Sequence, residues 1–257
     1  MSVDVSRDDG VAVVTVNRAD ALNALDLETL TELRDRLREL ADDEAARVVV
    51  LTGAGHKAFV AGADIKYMSG LGVDDAKAWG ALGHEAGRLL ETMPKPTVAA
   101  INGFALGGGC ELALACDLRY ASTAARIGQP EINLGIIPGW GGTQRLARAT
   151  TLGYAKELIL TGRLVGADEA RERGLVNAVF EPDELLPKTL EVARSLAAKG
   201  PIALAVAKEA LNRALGGDHA VNLEREGERF GELFASEDAR EGLTAFAEKR
   251  EARFQGR

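Results

Sequence analysis

The stretch AINGFALGGGCELALACD, residues 100–117, constrains the fold of this chain more than any other. A strand read from Thr97 to Ile101 stops at the turn pair Asn102-Gly103. Phe104-Ala105-Leu106 follows, and then three glycines, Gly107 to Gly109, precede a helix running to about Cys116. That helix is apolar almost all round, so it must lie inside a core rather than on its surface. A chain of 257 residues with 46% hydrophobic side chains can supply such a core as one large domain, or one domain with a smaller appendage.

On either side of this stretch the chain alternates strand and helix. Val11 to Val16 and Arg47 to Leu51 read as buried strands, and Leu118 to Ala121 as another. Between the first two, Leu30, Leu33, Leu37 and Leu40 recur at three and four residues, which predicts a helix from about Asp26 to Ala41 with one apolar face. Lys57 to Met68 reads as a compact loop, and a helix from about Asp74 to Thr92 is stopped by Pro94 and Pro96. Residues 126–146 are rich in Gly and Pro and read mostly as loop. Helices are expected at about 152–160 and 167–173, and a short strand from Leu175 to Phe180. From Asp183 onward the pattern is helical alone, at about 183–198, 201–215, 218–235 and 238–249. The order predicts an α/β core followed by a helical C-terminal region, with the division drawn between 1–195 and 196–257.

Within the buried helix one residue is out of place. Glu111 lies among Cys110, Leu112, Ala113 and Leu114, and an ionised carboxylate there is costly unless paired or functional. A buried carboxyl with a raised pKa suits a general acid or base; a glutamate in a first turn can equally satisfy free backbone N–H groups. The glycines before it permit close ligand approach and a free helix N-terminus that holds an anion or oxyanion, but they also suit tight helix–strand packing. Glu131, in Gly128-Gln129-Pro130-Glu131, is by itself an ordinary loop carboxylate; it gains interest as a partner for Glu111, because two carboxylates in one small space can divide acid and base roles. Ala61-Gly62-Ala63-Asp64 reads as a tight turn whose N–H groups could face a cleft.

Several function classes lack their signature. G-x-G-x-x-G, a P-loop and G-x-S-x-G are absent, and His56, His84 and His219 do not stand at metal-ligand spacing. The formal net charge of −8, with no Lys/Arg stripe, argues against nucleic acid. Cys110 and Cys116 are six residues apart in one helix and look like core residues rather than a disulfide. With no signal peptide or membrane span read from the chain, a cytoplasmic location is expected.

Taken together, NRADALNAL (17–25), KAFVAGADIKYM (57–68), INGFALGGGCELALACD (101–117) and IGQPEINLGIIPGWGGTQRL (127–146) resemble the crotonase superfamily, and within it the enoyl-CoA hydratases. LTGRLVGADEARERGLVNAV (160–179) and EGLTAFAEKREARF (241–254) extend the resemblance over essentially the whole chain. It implies a spiral of ββα units with C-terminal helices that build a homo-oligomer, a trimer or a dimer of trimers. It implies an acyl-CoA thioester substrate, with CoA part of the substrate and no separate cofactor or metal. The N–H groups of Ala63 and Gly108 would form the oxyanion hole, Glu111 would activate water and Glu131 would deliver a proton to the α-carbon. Ala21, Leu22, Ala63, Asp64, Ile65, Lys66 and Gly108 match CoA- and substrate-binding positions, and Phe230 and Lys249 match positions that reach CoA on a neighbouring subunit. Asp20 stands where relatives often carry Lys near the CoA phosphates.

The activity so implied is reversible syn addition of water to a trans-2-enoyl-CoA, giving the (3S)-3-hydroxyacyl-CoA, as in fatty-acid β-oxidation. Having both carboxylates favours hydratase over the isomerases of the superfamily, which usually lack the first. An enoyl-CoA isomerase, a specialised hydroxyacyl-CoA dehydratase and a non-catalytic RNA- or CoA-binding member are the alternatives.

Overall fold

The computed structural model describes residues 1–257. The chain opens with a hairpin, β1 (Val3–Asp8) and β2 (Val11–Val16), turned through Asp9 and Gly10, both at positive φ. Helix α1 (Leu27–Asp42) follows; its start is fixed by Asp26, whose side chain accepts a hydrogen bond from Thr29 N. The four spaced leucines line its buried face.

The next segments alternate between two sheets. β3 (Val48–Gly53) leads to β4 (Ala58–Val60) and then to α2 (Ile65–Met68) and α3 (Val73–Thr92). β5 (Thr97–Ile101) leads to β6 (Phe104–Leu106) and α4 (Gly108–Ala115), and β7 (Leu118–Ser122) to β8 (Arg126–Gly128), a 3-10 turn (Pro130–Leu134) and α5 (Gly142–Ala149). In each repeat the first strand joins a six-stranded sheet of order β1-β2-β3-β5-β7 that is completed at its far edge by β10 (Ala178–Phe180), and the second joins a smaller sheet. After α6 (Leu152–Thr161), β9 (Val165–Gly166) closes that smaller sheet in the order β4-β6-β8-β9, before α7 (Ala167–Glu172) and β10 (Ala178–Phe180). Three successive ββα turns, parallel within each sheet, therefore wind the chain into a spiral.

The central strands β3 and β5 of the large sheet are buried on both faces, which is why they read as unbroken apolar runs. Val49, Leu51, Ala99 and Ile101 face a core shared with α1, α3 and α4. Their neighbours Val48, Val50 and Val98 face the opposite way, onto Leu185, Ala193 and Ala197 of α8 (Pro182–Ala197). All eight residues of α4 are buried, as its sequence requires.

Three short helices complete the chain: α9 (Pro201–Arg213), α10 (His219–Leu233) and α11 (Glu237–Glu248). Lys208 anchors α9. Its buried ammonium donates to Leu90 O and Lys95 O and pairs with Asp117 Oδ2 at 2.8 Å. Helix α10 buries no residue, and Leu215, Val221, Leu223, Phe230, Phe234 and Phe246 leave a broad apolar surface over this end. No helix is long and apolar enough to cross a membrane.

Three departures from the sequence reading matter. Residues 57–68 are not plain loop: Ala58–Val60 pair with β6, and Asp64 caps a single helical turn by accepting from Lys66 N and Tyr67 N. Residues 126–146 hold β8, the 3-10 turn and α5 within what read as loop. The edge strand β1 was not expected, because its charged, mostly exposed VDVSRD hides a single anchoring residue, Val3.

Candidate active site

The cleft is a cavity of about 400 Å³ between the first turn of α4, the loop after β4, α2–α3 and the segment 130–140. Ala63, Ile65, Gly108, Glu111 and Glu131 all line it, so five of the positions singled out from the sequence meet there.

Two backbone donors face this space for structural reasons. Leu25 and Ala63 form a parallel bridge in which Leu25 N donates to Gly62 O and Asp64 N donates to Leu25 O. In that pattern the N–H of Ala63 itself points away from Leu25. Gly108 is the first residue of α4, so its N–H has no intrahelical acceptor. The helix also brings partial positive charge to this point. Only glycine fits at 108, because a Cβ there would stand 2.2 Å from Cζ3 of Trp140.

Glu111, one turn further on, is 2% exposed. Its Oε1 accepts two hydrogen bonds, from Trp140 N and Gly142 N, each 2.7 Å. No group of the chain donates to Oε2. Burial pushes its pKa up, while the Gly142 and Trp140 N–H groups and the Arg145 charge pull the other way. Glu131 stands on the 3-10 turn with its carboxyl beside Gly107, where an added Cβ would lie 2.9 Å from Oε1. Burial, and then the charge of Glu111, raise its pKa to about 7. The buried side-chain amide of Gln129 packs against the Glu131 carboxyl, 3.0 and 3.3 Å from its two oxygens. The two carboxyls thus differ in environment: one is held by N–H donors and a nearby cation, and the other is poised near neutrality.

Trp79 and Trp140 line one side of the cavity, and Tyr67 packs behind Trp79. Trp140 meets Trp79 edge-on at 5.2 Å between centroids, and Trp79 meets Tyr67 in the same way, also at 5.2 Å. Trp79, Trp140, Gly142 and Arg145 were not singled out from the sequence. The one hint was the glycine-dense GWGG before a helix; the loop shape that turns two N–H groups onto Glu111 is a tertiary property.

The other sequence candidates lie apart from the cavity wall. Ala21 ends a 3-10 turn, and Leu22 O accepts from Ala61 N, next to the Ala63 loop. Asp64 caps α2 and pairs with Arg18 at 3.3 Å, and Lys66 is exposed on α2. Phe230 packs edge-on against Phe234 on α10, and Lys249 ends α11 with positive φ.

Comparison with known proteins points one way. The family model described as enoyl-CoA hydratase/isomerase matches residues 6–257. A crotonyl-CoA hydratase of Syntrophomonas wolfei is 46% identical over 253 residues, 98% of this chain and 97% of that protein. A short-chain-enoyl-CoA hydratase of Clostridium acetobutylicum is 48% identical over 249 residues, 97% of this chain and 95% of that protein. The crystal structure of an enoyl-CoA hydratase from Bacillus anthracis superposes with a TM-score of 0.97 at 41% identity, over 100% of both chains.

Proposed function

Because this chain belongs to the enoyl-CoA hydratase/isomerase family, we propose that its cleft hydrates 2-enoyl-CoA thioesters. The observation that carries the reading is the pairing of two free backbone N–H groups, at Ala63 and Gly108, with two differently tuned carboxyls in one cavity. The N–H groups grip the thioester oxygen and stabilise the negative charge that develops there. Glu111, ionised, takes a proton from water through Oε2 as the oxygen attacks C3. Glu131, protonated, gives its proton to C2. The product is the 3-hydroxyacyl-CoA, and the reverse reaction exchanges the two roles. This reaction is the hydration step of fatty-acid β-oxidation.

Short acyl chains suit the cavity best. Trp79 and Trp140 pack edge-on into one side of it, and two close relatives carry the names crotonyl-CoA and short-chain-enoyl-CoA hydratase. CoA itself would run past Ala21, Leu22 and the Asp64–Lys66 turn, with Phe230 and Lys249 reaching it from a neighbouring subunit. The region 196–257 would build that neighbour contact in a trimer or a dimer of trimers, through the apolar surface of α9 to α11. No separate cofactor is called for, since water and the thioester supply every atom of the product.

The test is to follow loss of the enoyl-thioester absorbance with crotonyl-CoA and longer homologues, and to identify the product. 3-Hydroxybutyryl-CoA, formed faster than longer products, supports the reading. Inertness on all 2-enoyl-CoAs with isomerisation of a 3-enoyl-CoA would replace it.

A further inference from the structure

The cleft's second carboxyl, Glu131, is set by its own turn, but Glu111 depends on a loop from another element. Three consecutive peptides form the relevant part of that loop. The outer two supply Trp140 N–H and Gly142 N–H, which converge on the single atom Glu111 Oε1. The middle peptide carries the Trp140 carbonyl, and that carbonyl accepts a 2.7 Å hydrogen bond from Arg145 Nη1. Arg145 grips the loop a second time, since its backbone N–H donates to Gly141 O at 2.9 Å. The guanidinium is itself anchored on α3 by Glu91 Oε2 at 2.9 Å and is largely buried, with 12% of the side chain exposed. Room for it is made on both sides: a Cβ at Gly141 would stand 2.4 Å from Nη1, and one at Gly87 3.1 Å from the same atom.

We propose that Arg145 is a positioning residue for Glu111: by fixing the Trp140–Gly141 peptide it aims the two flanking N–H groups at Oε1 and leaves Oε2 for the reacting water. This rests on the hydratase reading of the cleft. Arg145 touches neither water nor thioester in this role and acts through the loop alone.

The charged groups around Glu111 are few, which makes the consequence readable. Arg145 comes from α5 and Glu131 from the 3-10 turn. Cys110, beside Glu111 on α4, is a buried thiol pushed far above its ordinary range and stays neutral. Glu91 on α3 reaches the site only through Arg145. Loss of Arg145 therefore removes the cation and loosens both N–H donors, and each change favours the protonated form of Glu111.

The experiment compares wild type, Arg145→Lys, Arg145→Met and the double variant Arg145→Met/Glu91→Gln, which leaves no stranded carboxylate should the single variant fold poorly. With crotonyl-CoA the Met variants should lose about 10²-fold in kcat, the scale of a group misplaced by 1 Å. KM should stay near the wild-type value. The acid limb of the kcat/KM profile should move up by about one pH unit, and Arg145→Lys should fall between. Infrared titration of the Glu111 carboxyl, identified by its loss in Glu111→Gln, should show the same upward shift. Because that titration does not depend on turnover, it decides the matter even if wild type proves inert, an outcome that would instead overturn the hydratase reading. An unmoved acid limb and an unmoved Glu111 titration in the folded double variant would overturn the role given to Arg145.

Discussion

Gly108 is where packing and chemistry meet most tightly, and Gly108→Ala puts a number on both. The new Cβ would stand 2.2, 2.5 and 3.1 Å from three atoms of the Trp140 ring. Ordinary carbon contacts lie near 3.5–4.0 Å, so ring and helix must separate by more than about 1 Å. The ring cannot swing freely, because a Cβ on Gly83 of α3 would meet the five-membered part of the same indole at 2.3 Å. Overpacking of this kind costs about 1–3 kcal/mol, which lowers Tm by about 2–4 °C for each kcal/mol in a chain of this size. The kinetic cost is larger. Moving one oxyanion donor off its line costs about 10²–10³ in kcat. Gly83→Ala is the control, since it strains the same ring from α3 without touching the Gly108 N–H. Both variants should lose comparable Tm, and Gly108→Ala should lose at least about tenfold more kcat on crotonyl-CoA than Gly83→Ala. Full turnover by Gly108→Ala, or equal losses in the two variants, would refute the assignment of the Gly108 N–H to the oxyanion hole.

Lys208→Met strands Asp117 and two carbonyls beneath α9; Thr97 still donates to Asp117, so the loss should sit near the lower end for a broken buried pair, about 3 kcal/mol in urea unfolding. Glu131, raised from an ordinary 4.5 to about 7, holds its proton in the folded chain where the unfolded chain has released it. Its contribution therefore lowers stability as pH rises from about 4.5 to about 7, in the absence of substrate, and a Glu131→Gln variant should lose that slope. In turnover the hydration rate needs Glu131 protonated, so kcat/KM for hydration should fall as pH passes about 7, and for dehydration equally, because the reaction takes up no net proton.

The large features were legible because they rest on local patterns. Four leucines at helical spacing gave α1, and continuous apolar runs gave β2, β3 and β5, whose two buried faces leave no polar alternation. Glu111 announced itself as a charge in a helix with no polar face. The strands β4, β6 and β8 were not legible as strands, since three residues are too few for any period to show. β1 pairs through its backbone along an exposed edge, which asks little of its side chains. Glu131 looked like any loop acid until the 3-10 turn brought it beside Gly107. Arg145 lay at the end of a stretch that read as loop; what buries it is the space left by Gly87 and Gly141, on elements far apart in sequence. The ββα spiral and the CoA positions came from resemblance, and the alternation of strands between two sheets then gave the spiral a physical form.

The central claim is that two carboxyls share one hydration, and it is tested most directly by single-turnover and steady-state rates on crotonyl-CoA for wild type, Glu111→Gln and Glu131→Gln. Each amide keeps the shape of the acid but can neither take nor give the proton. Wild type should form 3-hydroxybutyryl-CoA fast and each variant should lose at least about 10²-fold, with thioester binding retained through the Ala63 and Gly108 N–H groups. A variant that hydrates crotonyl-CoA at the wild-type rate would contradict the role given to its carboxyl, and two such variants would contradict the mechanism.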